Sequence, residues 1–104
     1  MDKLAVLRSF IERTPTDPFP RYGLAMELRR QGQSDEARAA FAQLMSDFPS
    51  YVPTYLMAGQ HLLAIGAAPE ALEVFRAGIA AARAAGDNHA AAELEQALAD
   101  ATEE

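Results

Sequence analysis

The stretch RRQGQSDEARAAF, from Arg29 to Phe41, and the stretch LAIGAAPEALEVF, from Leu63 to Phe75, share few letters but one spacing. In each, a Gly is followed five residues later by Ala and nine later by Phe, and the copies lie 34 residues apart. Each residue type has a steric role at its place. Gly32 and Gly66 suit a turn that needs left-handed backbone, which only Gly adopts cheaply. Ala37 and Ala71 let a neighbouring helix approach closely, and Phe41 and Phe75, one turn further on, fill the space between helices. Extending the comparison over 18–49 against 52–83 adds two more identities, Leu28 with Leu62 and Glu36 with Glu70.

Around this pair the chain divides into six helical segments. Asp2 is placed to cap the first, from about Lys3 to Arg13, which carries Leu4, Leu7, Phe10 and Ile11 on one face. After TPTD, the second runs from Pro18 to Gln31 with Leu24, Ala25 and Leu28 inward, and Gly32 closes it. The third covers Asp35 to Asp47, with Ser34 as the expected cap and Ala37, Phe41, Leu44 and Met45 at helical spacing. The fourth, Val52 to Ile65, repeats the second through Tyr55, Ala58, Gly59 and Leu62. The fifth begins at Pro69, carries Ala71, Phe75, Gly78 and Ile79, and runs on to Gly86 as the longest helix. Asp87 caps a last amphipathic segment bearing Ala91, Leu94, Leu98 and Ala101.

The period and the small and large residue pattern resemble the tetratricopeptide repeat (TPR) family, whose unit is a helix–turn–helix of 34 residues. Repeat one is 18–51 and repeat two is 52–85; Pro49 ends the first as the family pattern requires. Departures are visible as well. Arg21 stands where the family has a large aromatic, matched in repeat two by Tyr55, and Arg83 stands where Pro is usual, so the fifth helix can continue to Gly86. Counting back 34 from Phe41 and Pro49 reaches Leu7 and Pro15, which makes 3–17 a degenerate half repeat. The segment 87–102 then acts as a capping helix, because a solenoid needs neighbours on both sides. The expectation is one all-α domain over 1–104, a right-handed superhelix of antiparallel helix pairs.

Composition agrees. Of the 104 residues 23 are Ala, the best helix former, and a chain this long buries roughly 65% of its unfolded surface without a staple. There is no Cys, which fits a reducing compartment. Charged residues break up the N-terminus and no run nears 18 apolar residues, so a signal peptide and a membrane span are not expected and the reading is cytoplasmic. The net charge of −6 lies in the second half, since residues 1–50 hold seven Lys or Arg against seven Asp or Glu. That argues against nucleic acid as a partner.

Catalytic groups and cofactors are not indicated. His61 and His89 lie on different segments without metal-ligand spacing. Asp35 with Glu36, and Glu70 with Glu73, read as first-turn carboxylates that complement the helix dipole, and Glu93 and Glu95 point to different faces. The resemblance implies instead a concave groove lined by the first helix of each repeat, holding a peptide or helix of a partner. Its positions map to Phe19, Tyr22, Gly23, Met26, Arg29 and Arg30 in repeat one and to Leu56, Met57, Gln60 and Leu63 in repeat two. Arg21, Arg29 and Arg30 would form a basic rim, while Tyr22, Met26 and Met57 replace the polar residues with which some relatives clamp a C-terminal carboxylate. The alternative is a structural module that self-associates as a homodimer through the same surface, or a face already covered by the closing helix.

Overall fold

The computed structural model describes residues 2–103, and among them the secondary structure is entirely helical. The six helices are α1 (Lys3–Arg13), α2 (Pro18–Arg30), α3 (Ser34–Asp47), α4 (Pro53–Ala64), α5 (Ala68–Ala84) and α6 (Asn88–Thr102). They gather into two compact units, α1 to α3 ending at Phe48 and α4 to α6 beginning at Pro49.

The helix starts follow local chemistry. Asp2, Asp17 and Asp87 each accept a backbone N–H, from Leu4 at 3.1 Å, Phe19 at 3.0 Å and Ala90 at 3.0 Å. Ser34 is not the residue that caps α3: the helix begins at Ser34 and Gln33 holds the cap position without a side-chain bond. Asp35 and Glu36 sit in that first turn, where they complement the helix dipole. In α5 only Glu70 occupies the first turn, and Glu73 lies beyond it.

Two kinds of stop alternate along the chain. Gly32, Gly66 and Gly86 have φ of 77°, 83° and 72°. After each, the next N–H closes back over the helix end, from Gln33 to Leu28, Ala67 to Leu62 and Asp87 to Ala82. The other stops are Thr14 and Phe48, with φ, ψ of −132°, 63° and −133°, 65°. Both precede Pro, which crowds the preceding residue out of the helical region. Arg83 brings no such block, and α5 continues to the Gly86 turn as the longest helix, 17 residues.

In the first unit α2 packs between α1 and α3. Leu4, Ala25, Leu28, Ala37, Phe41 and Leu44 are buried. Arg8 reaches Glu36 in the first turn of α3 at 3.9 Å. The apolar face expected on α1 is only partly used. Leu7 and Ile11 are half-buried and Phe10 is 45% exposed, with the Arg13 guanidinium 4.7 Å from its ring centroid. Because α1 packs on α2, only the stripe facing α2 is covered. Leu24 is likewise half-buried rather than inward.

The second unit brings α4, α5 and α6 together. Phe75 is fully buried and lies on the backbone of α4, so close that a Cβ on Gly59 would come 2.2 Å from its Cε1. A Cβ on Gly78 would meet Tyr55 Cβ at 2.4 Å and Leu94 Cδ1 at 3.1 Å. Gly78 is therefore where the three helices converge. The Tyr55 hydroxyl donates to the Pro49 carbonyl at 2.6 Å, and burial pushes its pKa up. One repeat earlier Arg21 stands for Tyr55 and the buried Leu44 for Gly78, so the first unit does not repeat this contact.

Candidate functional site

On α2, Phe19, Tyr22 and Met26 recur at helical spacing and so share a face. Phe19 is 68% exposed, while Tyr22, Met26 and Arg29 are half-buried. On α4, Leu56, Gln60 and Leu63 stand one repeat after Tyr22, Met26 and Arg29. Leu56 and Met57 are half-buried, and Leu63 is 37% exposed. Gln60 and Leu63 also line an open cleft of about 450 Å³ with Ala68 and Phe75 of α5 and Ala97, Asp100 and Ala101 of α6. The sequence left open that the closing helix covers this face, but not which of its residues border α4. Ala97 and Ala101 are one turn apart, but nothing local marks that flank as facing α4.

The expected basic rim is largely spent on internal contacts. Arg21 donates to Asp47 at 3.2 Å and its guanidinium lies 5.7 Å from the Phe48 ring centroid. Arg30 is taken by Glu27, a residue the sequence reading passed over. Glu27 is only 3% exposed and accepts from Arg30 Nε at 3.0 Å and from Gln31 Nε2 at 2.9 Å, with Arg30 Nη2 and Lys3 Nζ of α1 completing the cluster. A buried carboxylate near a helix C-terminus is disfavoured by desolvation and by the dipole, and these donors compensate both. The bonds from Arg30 first, then Gln31, hold the Glu27 carboxyl at about 2, far below its ordinary 4.5. The i, i+3 and i, i+4 spacing of Glu27 to Arg30 and Gln31 was the available signal. One repeat later His61 occupies the same buried place on α4.

A depressed carboxyl pKa stabilises the fold above its unfolded value, and that contribution fades as pH falls through the folded value. Glu27→Gln should therefore be less stable than the parent at pH 7. The gap should close as pH drops from about 4.5 toward about 2 in a series of urea unfolding curves. A gap that does not change with pH would mean that Glu27 is not held as the carboxylate.

No concentration of reactive groups accompanies these faces. His89 Nε2 lies 3.3 Å from Glu93 on an exposed turn of α6, and Glu95 turns away to Arg83 at 3.1 Å. Among the described residues no group of three or more His, Cys, Asp or Glu side chains could hold a metal ion, and no helix is long and apolar enough to cross a membrane.

No protein-family model matches the chain. A tetratricopeptide repeat domain protein from Salinibacter ruber, solved in solution, superposes with a TM-score of 0.81 at 33% identity, over 85% of this chain and 89% of that one. The chain belongs to the tetratricopeptide repeat family. The same fold in yeast Sti1, the TPR2B domain solved as a complex with pHsp70, superposes with a TM-score of 0.85 at 21% identity, over 95% of this chain and 79% of that one. The cytochrome c-type biogenesis protein CycH of Rhizobium meliloti (strain 1021) is 33% identical over 63 residues, 61% of this chain. This TPR chain spans 16% of that protein's length. Tyr55, Gly59, Leu62, Gly66, Ala71 and Phe75 thus serve as repeat core and turn in a TPR protein.

Proposed function

We propose that this TPR protein is a non-enzymatic protein–protein interaction module that holds a peptide or helix of a partner on the apolar faces of α2 and α4. In this reading Phe19, Tyr22, Met26 and Arg29 contribute from α2, and Leu56, Met57, Gln60 and Leu63 from α4. The observation that carries it is Phe19, a large apolar side chain left 68% exposed on the same face as Tyr22 and Met26. An exposed apolar stripe rimmed by polar groups marks an interaction surface more often than chance, and Met adapts to varied partners. Segment 3–17 as half repeat, 87–102 as capping helix and a cytoplasmic setting belong to the same proposal.

The test is selection of binding peptides from a displayed random library against the parent, followed by measurement on Phe19→Glu and Met57→Glu. Phe19→Glu should leave the Tm nearly unchanged, since exposed substitutions move stability by under about 0.5 kcal/mol. Selected peptides should bind either variant at least about tenfold more weakly. Equal binding by parent and both variants would overturn the reading. A parent that selects no peptide and halves in mass on Phe19→Glu or Met57→Glu, measured by light scattering, would establish the homodimer instead.

A further inference from the structure

A second cleft, of about 580 Å³, lies on the opposite flank of α6 from Ala97 and Ala101. Arg76, Ile79 and Arg83 of α5 form one wall, and Glu95, Leu98, Ala99 and Thr102 of α6 form the other. Arg76 and Arg83 are the only Lys or Arg residues after residue 50, and both stand at this cleft, where Arg83 is paired with Glu95 at 3.1 Å and Arg76 is left to face an occupant.

The first unit supplies a template for its occupant. Arg76 and Ile79 follow Arg8 and Ile11 of α1 at twice the repeat spacing. Leu98 follows its cap Asp87 at the spacing at which Leu28 of α2 follows Asp17. In the first unit α3 packs against α2 and reaches α1 through Glu36. Its first-turn Glu36 meets Arg8 at 3.9 Å, and Leu28 is buried. Beside α5 and α6 the matching Leu98 is only half-buried.

We propose that α5 and α6 form the seat for an amphipathic helix of another polypeptide, one with a carboxylate in its first turn opposite Arg76 and an Ala, Phe, Leu stripe over Ile79 and Leu98. This seat is separate from the α2 and α4 faces proposed above. A second copy of this chain is a poor occupant. The helices that carry such a pattern, α3 and α5, already bury Ala37, Phe41 and Leu44 or Ala71 and Phe75 within their own units. Donating either would unpack a core.

The probe is a synthetic α3 peptide, residues 33–48, stapled as a helix across Ala39 and Gln43, which are both exposed in α3. Titrated into isotope-labelled full-length protein, it should shift the backbone amide signals of Arg76, Ile79, Leu98 and Ala99 saturably. Leu98→Glu should weaken binding at least about tenfold. Arg76→Ala in the protein, or Glu36→Gln in the peptide, should each weaken it about two- to fivefold, the range of an exposed ion pair. No shift at about 1 mM peptide, or binding indifferent to both protein variants, overturns the proposal. So do shifts centred on Leu56, Met57 and Leu63, which place the peptide on the other face. Sedimentation that finds a dimer of the parent and a monomer of Arg76→Ala would assign the seat to a second copy and overturn it equally.

Discussion

Phe75→Ala should lower stability by about 3–5 kcal/mol, a large share of what holds a domain of this size together. Phe75 has no exposed surface and its ring lies against the bare backbone of Gly59, so truncation leaves a cavity between α4 and α5. The cost combines lost transfer free energy with lost contacts around the cavity. Urea unfolding followed by helical circular dichroism measures it directly. A loss below about 1 kcal/mol would mean that α4 and α5 do not pack through this ring.

Gly59→Ala should be destabilising by about 1–3 kcal/mol although Ala is the better helix former. Elsewhere in a helix the change gains about 1 kcal/mol from propensity. Here the new Cβ falls 2.2 Å from Phe75 Cε1 and 2.7 Å from two further ring atoms, so the fully buried ring or the helices must shift. Repeat one accommodates Ala25 at the equivalent place, so the close approach belongs to the second unit. The decisive measurement is a double-mutant cycle. In a Phe75→Leu background the ring is gone, and Gly59→Ala should become neutral or gain up to about 1 kcal/mol. If its cost is the same in both backgrounds, the strain does not come from Phe75.

These two predictions differ in how far they could be anticipated. The spacing of Phe41 and Phe75 after Gly32 and Gly66 already marks the rings as core, because a repeat must bury its largest side chain between helices. That Gly59 is a contact point depends on the crossing distance of α4 and α5. The same holds for the proposed faces. Helical spacing groups Phe19, Tyr22 and Met26 and puts Leu28 on the opposite side of the helix, but only packing decides that Phe19 is exposed and Leu28 buried.

By itself the sequence determined the helices, their order and their stops. Asp2, Asp17 and Asp87 cap helix starts, Gly32, Gly66 and Gly86 permit positive φ, and Pro15 and Pro49 force Thr14 and Phe48 out of the helix. Each of these effects acts within a few residues, so each can be read from neighbouring letters. Tertiary structure alone decided that Glu27 is buried with Lys3, Arg30 and Gln31, that Arg21 and Arg30 are spent internally, that Phe10 stays exposed, and that α6 borders a cleft on either flank. Burial and pairing depend on which flank of a helix its neighbours cover. That is settled by contacts between residues distant in the chain, to which local periodicity is blind.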